Sequence, residues 1–454
     1  MSAVSTRFTG LSATLLVVAS AFACGERGLT APDAPGLEHA RAPAGGGPSV
    51  KATDPDTGFR STTIDVQVLG SSFDQGSRAV WALNGDTAFT TTNVRINSTR
   101  YVSPKKLIAN VTIGREAPLD SYDVIVLTAG GKKGIGLELF AVTYEITDLG
   151  TMGGLSSWAG GVNSAGEVVG WAQLASGEQR PFRWTAAEGM RDLGTLGGTR
   201  HEAAAINDAG VVVGTGSSPT ASFLAFRWTS GQALAPLDQT LGASTEAFAV
   251  NALGDVGGRA SPAGTGPYPA AVWTAGGVLE GLTDSWARVL GLNDVGQAVG
   301  FSDPTGLTRA VLWTRAAGGW VMEELPVGED SQARDINNAG QVVGSYRTTD
   351  GRLAGFVWTR EAGVDSLPAL PGGAGRTTAH AINDAGQVVG WSDHRTGGQS
   401  AVVWTRGTDA RWHPLALPQL GQGNSEARAI SEDGKIVGWE KQDQGSHAAL
   451  WRLP

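Results

Sequence analysis

Short runs of alternating apolar and polar residues open the readable part of the chain. In "TIDVQVLGSSF" (63–73) the apolar positions are Ile64, Val66 and Val68. In "KLIANVTIG" (106–114) they are Leu107, Ala109, Val111 and Ile113, and in "SYDVIVLTAGG" (121–131) they are Tyr122, Val124 and Val126. A period of two, bounded by Gly and Pro, puts every second side chain on one buried face, so these runs predict half-buried strands. Several such strands within 51–143 predict a small β-sandwich.

Beyond residue 144 the pattern changes from alternation to repetition. "AAINDAGVVVGT" (204–215), "RDINNAGQVVGS" (334–345) and "HAINDAGQVVGW" (380–391) are near-copies. Anchored on the turn residue, the copies fall at Asn163, Asn207, Asn251, Asn293, Asn337, Asn383 and Ser431, with spacings of 44, 44, 42, 44, 46 and 48. A second marker, an apolar pair ending in tryptophan, recurs at Trp184, Trp228, Trp273, Trp313, Trp358, Trp404 and Trp451. Each unit reads as four short strands. Asn and Asp initiate the turn between the first two, and its Gly accepts positive φ. A further Gly recurs inside the second strand, from Gly170 to Gly438. Glycine weakens a strand, so its return predicts close approach of a neighbouring backbone. The tryptophans are expected to fill the wedge between adjacent sheets.

Four strands in about 45 residues are the signature of a propeller blade. The ends of the region are complementary. It opens on a fourth-type strand, "EITDLG" (145–150), and closes on a third-type strand, "HAALWRLP" (447–454). Pairing the two would remove an exposed edge. The expected fold is therefore all-β: a seven-bladed β-propeller over 144–454, closed by 145–150 and preceded by the sandwich. A β-solenoid is the alternative, but it would not leave complementary ends.

The units "DLGTLGG" (192–198), "AINDAGVVVG" (205–214) and "LAFRWT" (224–229) resemble the HAF-repeat family of extracellular bacterial proteins. The His-Ala-Phe triplet itself is replaced here by "RPF", "LAF", "RAV", "AGF" or "HAA". The resemblance implies export and repetition, and supplies no catalytic residues. "VLGSSF" and "APLDSYDVIV" resemble the opening and closing strands of immunoglobulin-like domains of the IPT/TIG type, so 51–143 is expected to be Ig-like.

The amino terminus adds a destination. Arg7 precedes the apolar run "LSATLLVVASAFA" (11–23), too short to span a bilayer and placed as a signal peptide is placed. Directly after it stands Cys24, the one cysteine of the chain. "AFAC" resembles the lipobox of bacterial lipoproteins, which implies acylation of Cys24. "Ala21-Phe22-Ala23" also fits ordinary signal peptidase, which would give a secreted protein. Residues 24–50, rich in Pro, Gly and Ala, read as a flexible tether. One cysteine leaves no disulfide framework and no cysteine-pair zinc site. Gly makes up 66 of 454 residues, in keeping with a turn-rich chain. A net charge of −9 argues against a nucleic-acid surface.

Candidate chemistry sits where the first strands meet the axis. Five positions before the marker lie Trp158, Glu202, Glu246, Arg288, Gln332, Thr378 and Glu426. Three before it lie Gly160, Ala204, Phe248, Leu290, Arg334, His380 and Arg428. Arg334, His380 and Arg428 come from consecutive units and are expected to form a basic patch. Glu202 and Glu246 form an acidic arc, and Trp158 completes the candidate set. A ring of this kind suits a polar or anionic ligand. The second-to-third-strand loops, such as "AQLASGEQR" (172–180) and "EKQDQGS" (440–446), vary on a uniform frame, which points to partners on that face. No H-E-x-x-H, G-x-S-x-G or Walker motif occurs, and the "NDAG" turns offer too few oxygens for calcium, so no metal or cofactor is expected. The expectation is a monomeric lipoprotein of the cell envelope, anchored to the outer membrane or cell surface, whose propeller binds or scaffolds a glycan or protein. The alternative is a polysaccharide hydrolase or lyase at the channel mouth, since paired carboxylates are recognised in space rather than in sequence.

Overall fold

The computed structural model describes residues 47–83, 93–241, 244–261, 268–283, 286–394, 398–407, 409–421 and 423–453. The expected signal peptide, Cys24 and almost all of the tether lie outside the described residues. The described residues contain strands and no helix, and the strands form nine four-stranded sheets.

Two sheets belong to the amino-terminal region. One runs in the order Ser49–Asp54, Thr62–Ser71, Lys106–Ile113, Val94–Ser103, and the other Thr57–Gly58, Lys133–Val142, Ser121–Leu127, Arg78–Leu83. Strict alternation in Lys106–Ile113 buries Leu107, Ala109, Val111 and Ile113. They join Val66 and Val68 of their own sheet and Trp81, Tyr122, Val124 and Phe140 of the other in one core. The Trp81 and Phe140 rings meet edge to face at 5.9 Å, and the Tyr122 hydroxyl donates to the Pro118 carbonyl at 3.0 Å.

The other seven sheets follow the repeat. Their first strands are Gly153–Val162, His201–Ile206, Ser244–Val250, Trp286–Leu292, Gln332–Ile336, Thr377–Ile382 and Ser425–Ile430. Six sheets are antiparallel meanders of four consecutive strands. The seventh takes Ser425–Ile430, Ile436–Lys441 and Ser446–Arg452 from one end of the region and Glu145–Asp148 from the other. Ile146 stands opposite Trp451, and Arg452 Nε donates to Glu145 Oε2 at 2.8 Å.

Consecutive sheets are clipped together by buried polar groups. Each marker asparagine accepts, through Oδ1, the amide N–H four residues on, at 2.8–3.0 Å, which closes its own turn. Its Nδ2 donates to the carbonyl of the next sheet's marker, from Asn163 to Asn207 and onward to Ser431, at 2.9–3.3 Å. The residue after the marker adds a second run: the Ser164, Ala252, Asp294, Asn338 and Asp384 amides each donate to the next sheet's side-chain oxygen, at 2.8–2.9 Å. At the seventh marker Ser431 is too short to continue, and Lys435 Nζ instead donates to Ser164 O at 3.1 Å.

A third clip lies six positions before the marker. The hydroxyls of Thr245, Ser331, Thr377 and Ser425 accept the amides of Ala225, Ala310, Gly355 and Ala401 in the preceding sheet, at 2.8–3.0 Å. Ser157 of the first sheet accepts Ala448 of the seventh in the same way, at 2.9 Å. In the first sheet the donor position is Pro181, which has no N–H, and the matching acceptor position in the second sheet is His201 rather than a hydroxyl. The marker tryptophans add to this. The indole N–H groups of Trp273, Trp404 and Trp451 donate at 2.8 Å to the carbonyls of Asp238, Pro368 and Pro418. Trp273, Trp313, Trp404 and Trp451 are fully buried, whereas Trp184 and Trp228 are only half-buried.

Every first strand carries a β-bulge at the same place. Register shifts between residues four and two before the marker in all seven sheets, from Ala159/Gly161 to Ala427/Ala429. The bulge turns a carbonyl of the first strand toward the recurring glycine of the second. A Cβ at Gly170, Gly214, Gly258, Gly300, Gly344, Gly390 or Gly438 would lie 1.8–2.0 Å from that oxygen. Bulge and glycine are therefore one device. Gly344→Ala, whose Cβ would meet Gln332 O at 2.0 Å, is expected to lose about 2–3 kcal/mol in urea denaturation. Gly318→Ala, where nothing lies within 4 Å, should stay within about 0.5 kcal/mol of the parent.

Candidate ligand-binding site

The bulge decides which side chains are presented. A bulged residue is unpaired and is aimed away from the regular pleat. In this fold it is Gly160, Ala204, Phe248, Leu290, Arg334, His380 or Arg428. Two positions earlier, the first strand pairs with the residue that follows the recurring glycine. The pairs are Trp158 with Trp171, Glu202 with Thr215, Glu246 with Arg259, Arg288 with Phe301, Gln332 with Ser345, Thr378 with Trp391 and Glu426 with Trp439. Together these positions make a belt of charged and aromatic groups contributed by all seven sheets.

Trp158 lies in a three-ring stack across the first and seventh sheets. Its centroid is 4.9 Å from Trp439 at an interplanar angle of 14° and 5.9 Å from Trp171 at 25°. Glu246 is ion-paired with Arg259, whose guanidinium lies 4.4 Å from the Tyr268 ring centroid. Arg288 stands over Phe248 at 5.5 Å and Phe301 at 5.8 Å. Glu202 is open to the solvent of a concavity yet walled by protein. That burial raises its carboxyl above the usual range, against the pull of Arg428 and Arg200.

Arg334, His380 and Arg428 do share one neighbourhood, but they do not add up to a patch of three cations. Glu426 stands between two of them, with Oε1 at 2.8 Å from both His380 Nε2 and Arg428 Nη1. Burial drives the imidazole down to about 4, so His380 is uncharged at neutral pH. Glu426, although buried, is held below the usual carboxylate range by these two neighbours. Arg334 is left with one hydrogen bond, from Nη2 to Gln332 Oε1 at 3.3 Å, and its buried Nε has no partner among the described residues. Burial, with Arg428 nearby, lowers its guanidinium to about 10.

A cavity of about 550 Å³ opens from this belt, lined by Glu202, Ala204, Thr215, Glu246 and Phe248 and rimmed by Thr199, Arg200, Ser217, Ser222 and Phe223. The rim comes from the loops after the second and fourth strands, so the cavity faces the variable-loop side. A separate hollow of about 390 Å³ lies at the marker turns. Its floor is aliphatic: Val162, Ile206, Val250, Leu292, Ile336, Ile382 and Ile430, each one position before a marker. Its rim carries Asp208, Asp294, Asp384 and Glu432. Asp335 lies at this level, its oxygens accepting the Ile336 and Ile382 amides at 2.9 and 3.0 Å, and burial pushes its carboxyl up to about 7.

Glu202, Glu246, Arg334, His380 and Arg428, which share two spacings from the markers, thus lie in one electrostatic cluster, with Trp158 beside Glu426 through Trp439. The second-strand members Trp171, Arg259, Phe301, Trp391 and Trp439 lie outside those two spacings. Their signal is the residue after the repeated glycine, which is large or charged in five of the seven units.

His380 makes the site pH-sensitive. The native imidazole stays neutral down to about pH 4, whereas in the unfolded chain it protonates near the ordinary imidazole value of 6.5. The unfolded state thus binds more protons between those values, and stability falls as pH drops through that window. Measured by urea denaturation at pH 7 and pH 4, the parent should lose on the order of 3 kcal/mol more than His380→Gln.

No family profile matches the chain, and no curated protein matches it. Among solved structures it is similar to XC5397, a gluconolactonase from Xanthomonas campestris important in glucose secondary metabolic pathways. Identity is 11% and the TM-score 0.35, over 68% of this chain and 90% of that one. It is also similar to Trypanosoma rangeli sialidase in complex with sialic acid, at 9% identity and a TM-score of 0.22, over 84% of this chain and 60% of that one. Likenesses of this size assign neither fold nor activity.

Proposed function

We propose that residues 144–454 are a seven-bladed β-propeller closed by Glu145–Asp148, and that its axial belt binds a glycan. The clips between the seventh and first sheets support closure, because Ser157 and Lys435 join those two as hydroxyls and amides join the others. Residues 51–143 act as an Ig-like spacer, supported by the facing sheets and the Tyr122-to-Pro118 bond. Export and acylation of Cys24 would hold the assembly at the cell envelope, in line with the resemblance to extracellular repeat proteins.

The belt carries the binding reading. Four arginines and three glutamates are gathered at the bulge positions and those beside them, while the residue one before each marker is always aliphatic. Charges withdrawn from water cost free energy that a fold does not require. Gathered in one belt with aromatic rings, with Glu202 and Glu246 lining a cavity, they suit recognition. A second reading, glycan hydrolysis or lysis, draws on Glu202 and Glu246, which line one cavity with the first carboxyl raised and the second ion-paired.

A panel of immobilised acidic and neutral glycans, with release of reducing ends or unsaturated sugars followed in parallel, tests the proposal. Binding without turnover is expected, turnover would establish the second reading, and an empty panel would remove both. Cys24→Ala is expected to move the protein from the membrane fraction to the soluble one. Retention of that variant in membranes would exclude the anchor.

A further inference from the structure

We propose that the ligand is a carboxylated sugar, a uronate unit of an acidic polysaccharide, whose carboxylate pairs with Arg334 while its ring packs against the Trp171–Trp158–Trp439 stack. The proposal rests on the reading of the belt as a glycan site and names the chemical class that the site takes.

Among the arginines of the belt, Arg334 is the unmatched one. Arg259 has Glu246, and Arg428 has Glu426. Arg288 has the faces of two phenylalanines. Arg334 has no carboxylate and no ring among the described residues, only an amide oxygen at 3.3 Å from its own strand. His380 is neutral, and Glu426, whose charge reaches Arg334, already holds Arg428 on one oxygen, with His380 Nε2 2.8 Å from it, and the Gln399 amide, at 3.3 Å, on the other. A guanidinium withdrawn from water without an ion pair of its own is a liability to the fold. A ligand carboxylate removes that liability and uses the planar fork in a bidentate manner.

Further orphans stand in the same belt. Thr378 Oγ1 and Trp439 Nε1 are buried without hydrogen-bond partners among the described residues. Thr378 precedes His380 in the sixth sheet, and Trp439 pairs in register with Glu426 in the seventh. An indole N–H and a hydroxyl both satisfy sugar hydroxyls. The stack adds an apolar surface ending in half-exposed Trp171. One anion, several hydroxyls and one apolar ring face are the attributes of a uronate.

The test uses the full chain and titration calorimetry against four acidic oligosaccharides: trigalacturonate, trimannuronate, triguluronate and a hyaluronan tetramer. Each is compared with its methyl ester and with neutral maltotriose. At least one acid should bind, with its ester at least about tenfold weaker. Arg334→Met should weaken the acid about tenfold or more, while its thermal midpoint stays equal to or above the parent's. Three outcomes overturn the proposal: an ester or maltotriose that binds as tightly as the best acid, an Arg334→Met chain that binds the acid undiminished, or a midpoint several degrees below the parent's. The first leaves the glycan reading standing. No binding to any probe, acidic or neutral, removes that reading as well.

Discussion

The repeat region depends on a buried amide that is shared between sheets. A four-stranded meander of this size is marginal alone, because its inner strand has one face and one edge unprovided for. The marker asparagine addresses both needs with one side chain. Its oxygen closes the turn of its own sheet, and its nitrogen reaches the carbonyl of the next. These side chains are almost wholly withdrawn from solvent, with 0–7% exposure. A buried amide left unpaired costs more than a paired one contributes, so each sheet is committed to a neighbour at a set distance and angle. Hydroxyls and indoles then repeat the commitment farther from the turn.

Within that frame the bulge separates structure from recognition. Residues four before each marker are Ala or Val and pack into the sheets, whereas the extra residue beside them is released from the pleat. It varies freely from Gly to Phe to Arg without disturbing the ladder. The glycine opposite is the condition for this freedom, since any Cβ there would strike the displaced carbonyl. The same scaffold can thus present an almost arbitrary set of seven side chains.

Much of this was legible in the sequence because period and turn chemistry are local. Asn at a turn, Gly three residues after it and Trp on an apolar strand are each readable from one unit, and the recurring glycine pointed to close backbone approach. The second use of Asn163 and its equivalents was not readable, since a donor aimed at another sheet leaves no mark on the residues around it. Arg334, His380 and Arg428 could be placed together by counting. Their charge state could not, because it depends on Glu426, on burial and on which carboxylate oxygen is already taken. Trp171 and Trp439 went unseen although they follow the glycine, because their role appears only when the first and seventh sheets are side by side.

The splice in the seventh sheet has a consequence for biogenesis. Glu145–Asp148 leaves the ribosome, and enters any export channel, roughly three hundred residues ahead of the strand it pairs with, Ser446–Arg452. Until that late partner arrives, the early strand has no ladder to join and its hydrogen-bonding edge stays available to other chains. Assembly of the last sheet is therefore timed by the completion of synthesis, and a chaperone that shields the waiting segment would find its natural task there.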